Sequence, residues 1–299
     1  MTIENPNWVV PVGTKIVAQV TIPQTSFGEG AVAVIVKSPP DNAQPYRVRF
    51  IDGTEAQLDR AAFAIHRHFQ QPIENAAPAD LHEHIIYRCV VGSRAYGLDE
   101  PGSDTDLRGI YLPPADLHWS LYGVPDQLEN DATQECYWEL QKFITLALKA
   151  NPNILECLYT PMVESASPLA EELLDMRGMF LSKLVYQTYN GYVMSQFRKL
   201  QKDLENYGDI RWKHAMHLIR LLLSGIQVLE SGTLAVQVDA HRESLLQIRR
   251  GEIPWEKVDE WRLELHRQFD AAFQNTPLPE RPNYERANHF LIRARQSAI

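Results

Sequence analysis

An apolar run, Ile85-Ile86-Tyr87-Arg88-Cys89-Val90-Val91, stops abruptly at Gly92-Ser93, and Asp104-Thr105-Asp106 stands at the mouth of a second run, Leu107 to Leu112. This arrangement constrains the chain more than any other part of it. Short β-branched runs bounded by turn residues read as strands. The first strand must deliver its end to a Gly-Ser turn, and the second must begin beside two acids. In extended chain, residues i and i+2 point to one side. Asp104 and Asp106 therefore face the same way, with Thr105 turned from them. Glycine at position 92 lets the backbone approach another group closely. Ser93 offers an N–H and a hydroxyl suited to phosphate oxygens.

These parts fit one kind of chemistry. Moving a nucleoside monophosphate from a triphosphate to a hydroxyl builds charge on the α-phosphate and on the leaving pyrophosphate. Two divalent ions roughly 3.5–4 Å apart can clamp the attacking and leaving oxygens. Magnesium takes oxygen ligands, usually one or two carboxylates plus substrate phosphates. A tight turn at Gly92 followed by a solvated acidic loop is the bland alternative. The combination of both motifs between two apolar strands argues against it.

The stretch resembles the nucleotidyltransferase superfamily that includes DNA polymerase beta, whose signature is an apolar residue, Gly, Gly or Ser, a gap, and Asp-x-Asp or Asp-x-Glu. More narrowly, Gly92 to Leu98, Ser103 to Tyr111, Lys142-Phe143, Asn151 to Glu156 and Lys213 to Arg220 are similar to bacterial and phage nucleotidyltransferases associated with RNA repair. The similarity covers about residues 84 to 295. It implies a small α+β core with a mixed sheet, magnesium or manganese held by Asp104 and Asp106, and Gly92 and Ser93 on the triphosphate, which ATP would supply. It also implies a third carboxylate on a neighbouring strand, expected to run from about Asp131 to Trp138. Asp131 fits the pattern best and is assigned to the metal and to catalysis. Glu135 and Glu139 share its face if 131–139 is one regular strand.

Weaker candidates surround this core. Arg94 follows the turn and is placed beside the triphosphate, while Arg108 is read as supporting the aspartates from behind. Lys213, His217, Arg220 and Ser224 recur at helical spacing on an otherwise apolar segment. The first three are assigned to nucleotide phosphates or the acceptor, against the alternative of a solvated face. Glu156 sits where helix packing explains it equally well. His66-Arg67-His68 and His82-Glu83-His84 lack a third ligand at metal-site spacing.

Upstream, Lys15–Val20, Gly30–Val36 and Tyr46–Phe50 alternate in the manner of short strands, with turn signals at Pro39 to Asn42 and Asp52-Gly53. Residues 1–70 are expected to form an SH3-like β barrel without catalytic groups, with Arg47, Arg49 and Arg60 as contacts for an anionic partner. Residues 71–165 then form the catalytic core, with 71–80 as linker, and 166–299 a helical domain. Asn151-Pro152 is expected to end a helix from Leu140, and Gly232 the one that carries Arg220.

The 299 residues carry a net charge of −9. The chain cannot be basic over its whole surface, as a wrap for long duplex would be, which leaves room for a local basic groove and favours a small substrate, a nucleic-acid end or a protein. The acceptor is left as an RNA end, a protein hydroxyl or a small metabolite. A non-catalytic nucleotide- or partner-binding module is the alternative of another class. Three separated cysteines in apolar stretches suggest reduced thiols in the cytoplasm. No apolar run approaches the ~20 residues that span a bilayer.

Overall fold

Strict alternation builds the first sheet. In β3 (Tyr46–Phe50), Tyr46, Val48 and Phe50 are buried while Arg47 and Arg49 face solvent. Around it lie β1 (Lys15–Ala18), β2 (Val32–Lys37), β4 (Glu55–Leu58) and β5 (Phe63–Ile65). The computed structural model describes residues 9–22, 25, 27–66, 80–130, 132–208 and 210–299. By internal packing the chain divides into two units, Met1–Ala76 and Ala77–Ile299.

All pairs in the N-terminal sheet are antiparallel, in the order β4-β3-β2-β1-β5. The expected SH3-like barrel is not confirmed, because no closed barrel forms among the described residues. A 3-10 turn at Arg60–Ala62 redirects the chain, and β5 pairs with β1, which leaves β4 at an edge. Val10, Ile16, Ile35, Tyr46, Val48 and Phe63 make the core. The arginines proposed as partner contacts have internal partners. Arg49 and Arg47 both reach Glu55, at 2.6 and 3.5 Å, and Arg60 donates to the Phe63 carbonyl at 3.2 Å.

The second unit is mixed α+β. Its sheet contains β6 (Ile85–Val91), β7 (Asp106–Tyr111), β8 (Gln127–Asn130), β9 (Glu135–Glu139) and β10 (Val163–Ala166), in the order β10-β6-β7-β9-β8. Only β7 and β9 run parallel. The strand expected from about Asp131 to Trp138 begins only at Glu135, as β9, after a turn that joins it to β8, which the sequence reading missed. Asn130 explains the break: its Oδ1 accepts the Ala132 and Thr133 N–H groups, and Gln134 turns through a positive φ of 55°. Such side-chain to backbone bonds are how Asn starts turns. Asp131 lies outside the described residues, as do Arg67, His68 and most of the expected linker.

Helices cover the sheet: α1 (Gly92–Tyr96), α2 (Ala115–Trp119), α3 (Leu140–Leu148), α4 (Pro152–Tyr159), α5 (Pro168–Asp175), α6 (Leu184–Tyr207), α7 (Trp212–Ser231), α8 (Arg242–Arg249), α9 (Trp255–Asn275) and α10 (Tyr284–Gln296). Asn151-Pro152 separates two of them by starting the second. Asn151 caps α4 through Oδ1, and Pro152 takes the first turn, where its missing N–H costs nothing. Gly232 ends α7 in left-handed conformation, as its sequence position suggests. One apolar cluster runs from Tyr87 and Cys89 of the sheet through Leu155, Tyr189, Leu222 and Phe269 to Phe290. No helix among the described residues is long and apolar enough to cross a membrane.

Where β6 pairs with β7, position 109 leaves no room for a side chain. A Cβ built on Gly109 would stand 1.9 Å from the Tyr87 carbonyl oxygen and 3.1 Å from the Tyr137 ring. Gly109→Ala is expected to cost about 3 kcal/mol through this overlap. Gly191→Ala, on α6 with nothing within 4 Å of its Cβ, is expected to be neutral or to stabilise by up to about 1 kcal/mol. Urea denaturation of the two variants checks both values.

Candidate active site

Register brings the two motifs together. β6 and β7 pair with Val91 opposite Asp106, so the residue after the strand, Gly92, packs on the acid. Gly92 has φ +74°, and a Cβ there would lie 2.5 Å from Asp106 Oδ2. Glycine is required twice over, by conformation and by space. Asp106 begins β7, one residue earlier than the apolar pattern suggests, and is half-buried. Asp104 precedes the strand and is exposed.

Arg108 buttresses Asp106. Its Nη2 stands 3.5 Å from Asp106 Oδ1, while Nη1 donates to the carbonyls of Leu107 and Gln134 at 2.8 and 2.7 Å. The expected supporting role for Arg108 thus has a geometric basis. Arg94 is also engaged, donating Nη2 to the Ser103 carbonyl at 2.9 Å. That bond closes the loop between the Gly-Ser turn and Asp104.

The same loop is clamped from outside by α8, which the sequence reading missed. Arg242 donates to the Gly97 carbonyl at 2.7 Å and Arg249 to that of Leu98 at 2.8 Å. Arg250 reaches the Glu100 carboxylate at 2.9 Å. The Arg250 hydrogen bond, aided by the charges of Arg249 and Arg242, holds the Glu100 carboxyl below its ordinary range. The available signal was the seven-residue spacing of Arg242 and Arg249, which puts both on one helical face.

Beneath α1 lies a buried charged network. Tyr96, the last residue of α1, donates its hydroxyl to Glu156 Oε2 at 2.6 Å. Arg220 of α7 donates Nη1 to Glu156 Oε1 at 2.6 Å, and its guanidinium lies 3.7 Å from the Tyr96 ring centroid. Burial pushes the Tyr96 hydroxyl well above its usual range. Burial opposes the Arg220 charge, but the Glu156 carboxylate outweighs it and the guanidinium stays protonated.

This corrects the expected role of Arg220. Its side chain is only 5% exposed and sits behind α1, held by Glu156. The stripe Lys213, His217, Arg220 and Ser224 descends from solvent into the core: Lys213 is exposed, His217 half-buried, and the last two buried. Helical spacing gave the common azimuth but not the depth. Burial, with the charges of Arg220 and Lys213, drives His217 down to about 3.

The acids of β9 do not join Asp106. Parallel register pairs Leu107 with Glu135 and Arg108 with Cys136. Glu135 therefore shares the face of Leu107, opposite to that of Asp106. Glu139, at the far end, caps α3 through the Gln141 and Lys142 N–H groups and pairs with Arg295. On the face of Asp106 β9 offers Cys136, whose thiol burial raises to about 11. Among the described residues no three His, Cys, Asp or Glu side chains are grouped to hold a metal. Of the two acids expected to hold a metal, Asp106 packs against Gly92, while Asp104 lies exposed just before the strand.

Two outcomes follow from the charges. Arg220→Ala leaves Glu156 buried and unpaired, and is expected to cost about 3–5 kcal/mol in chemical denaturation. The double variant Glu156→Gln, Arg220→Met should recover most of that. His217 has a folded value of about 3 against an ordinary 6.5. The unfolded chain binds the proton first, so the His217 contribution is full above pH 6.5 and fades as pH falls toward about 3. In urea titrations across that window, His217→Asn should flatten the loss of stability relative to wild type.

Comparisons with known proteins identify the family of the chain. A model of the RNA repair pathway DNA polymerase beta family matches residues 64–293. The protein described as "Uncharacterized protein YcgL" of Bacillus subtilis (strain 168) is 29% identical over 154 residues, 50% of this chain and 58% of that relative. The match thus spans less than two thirds of the relative's length. No solved structure matches the chain. The family match extends over most of the sequence, including the Gly92-Ser93 turn, Asp104, Asp106 and all three arginines of the outer clamp. The chain belongs to the RNA repair pathway DNA polymerase beta family.

Proposed function

We propose that this chain moves a nucleoside monophosphate from a nucleoside triphosphate to an acceptor hydroxyl, and that the acceptor is an RNA end. The packing of Gly92 on the Asp106 carboxylate carries the reading, because it supports a phosphate turn and an acidic pair that serve one substrate. The Gly92 and Ser93 N–H groups and the Ser93 hydroxyl are suited to the β- and γ-phosphate oxygens. Asp104 and Asp106 would hold magnesium or manganese. A divalent pair bound there would stabilise the attacking and leaving oxygens of the displacement.

The remaining residues have supporting parts. Asp131 is proposed as the third carboxylate, taking the proton of the acceptor hydroxyl. Arg94 keeps the intervening loop closed, and Arg108 orients Asp106. Lys213 supplies positive charge toward the nucleotide, and His217, neutral at working pH, serves as a hydrogen-bonding group. Arg220 acts through Tyr96, setting the position of α1. The family's description favours RNA as acceptor. The net charge of −9 favours an end over an extended duplex.

Incubating the protein with each α-labelled nucleoside triphosphate, magnesium, and separate RNA, protein and metabolite pools tests this. Label is expected on RNA, and the double variant Asp104→Asn, Asp106→Asn should reduce it to background without changing the melting temperature. Transfer by that variant at the wild-type rate would remove both acids from the site. Label on protein or metabolite would replace the acceptor, and nucleotide binding without any transfer would favour a binding module.

A further inference from the structure

A cavity of 530 Å³ lies between α7, α9 and the segment 233–241, which ends in a 3-10 turn at Asp239–His241 and leads to α8. Its volume falls within the range of roughly 300–1,000 Å³ common to small-molecule sites. Leu234 and Val236 are buried beneath the wall, while Ala235 and Gln237 to His241 line the cavity. Leu223, Ile226 and Leu265 supply apolar surface. The rings of Trp261 and His241 lie at one side, centroids 5.9 Å apart and planes tilted by 50°. Gln237, Gln268, Glu230 and Asp239 form the polar edge, and among the described residues no lysine or arginine lines the space.

That lining selects a ligand. An indole face accepts a planar base by stacking. Carboxamides offer donor and acceptor together, matching the edge of a heterocycle. A carboxylate can accept from a ribose hydroxyl. Two acids without a cation disfavour phosphate, which Arg and Lys recognise. We propose that this cavity is a second binding site, for an unphosphorylated nucleoside, and that its occupancy is felt at α1.

Two connections carry the coupling. Val238, at the cavity wall, donates its backbone N–H to the Tyr96 carbonyl at 3.2 Å, and Arg242 donates to that of Gly97 at 2.7 Å. Separately, Ser224 lines the cavity one helical turn beyond Arg220, which stacks on Tyr96. A ligand that orders segment 237–241 fixes the end of α1 whose start is the Gly-Ser turn. Linkage then requires nucleoside and triphosphate to alter each other's affinity by one factor. This coupling rests on the transferase reading, whereas binding in the cavity does not.

The test is calorimetric titration of the full chain with adenosine, guanosine, cytidine and uridine, alongside their 5′-monophosphates and spermidine. One nucleoside at least should saturate, and its monophosphate should bind about tenfold more weakly. Trp261→Leu should weaken binding about tenfold or more. Gln237→Ala, at an exposed position that leaves packing intact, should weaken it about fivefold. Asp104→Asn, Asp106→Asn should leave it unchanged. The proposal is overturned if no nucleoside saturates, if both cavity variants bind like wild type, if the aspartate variant loses binding, or if spermidine binds in their place. A nucleoside that binds to a protein unable to bind any triphosphate leaves the cavity site standing and removes the transferase reading.

Discussion

The contact on which the second unit depends is the one between the Gly92 backbone and the Asp106 carboxylate. A side chain at position 92 would occupy the space of an Asp106 oxygen, so turn and acid can meet only through glycine. Everything around the pair limits its freedom. Strand register sets the height of Asp106, Arg108 fixes its outer oxygen, and Arg94 ties the loop that leads to it. The result is a pre-set geometry, which matters because a misplacement of 1 Å can cost a hundredfold in a positioned reaction.

Behind that surface, Glu156, Arg220 and Tyr96 form a charged interior that stability alone does not explain. Burying two charges is expensive, and hydrophobic groups of similar volume often hold a fold equally well. Arg220 Nε and the Tyr189 hydroxyl are buried without protein partners. What the network adds is direction. Hydrogen bonds to both carboxylate oxygens and a stacked guanidinium fix the height and orientation of Tyr96. A purely apolar contact would let α1 slide.

The sequence revealed the local parts and concealed the long-range ones. β6, β7 and the Gly-Ser turn follow from short apolar runs and one glycine, and α7 from helical period and its terminal Gly232. β8 was missed and the turn after it was joined to β9, because Asn130 acts through side-chain bonds to the backbone just after it, which carry no periodic signal. Three of the N-terminal strands, β1 to β3, were legible, but the short β4 and β5 and the sheet's closure were not, since the partner of β5 is a matter of tertiary pairing. Arg220 was placed on the correct helical face and at the wrong depth. Its partner Glu156 sits 64 residues away, a separation that no local pattern can report.

The supports of α1 share one property, distance along the chain. Tyr96 waits for Glu156, 60 residues downstream, and the carbonyls of Gly97 and Leu98 wait for Arg242 and Arg249, 145 and 151 residues downstream. Closing such loops is the slow part of folding a domain. A chain emerging from synthesis therefore carries both acids and the glycine turn long before anything holds them in register. Partly folded forms have the ingredients of the site without its geometry. The topology thus acts as a timer, in which competence arrives only with the last long-range contacts.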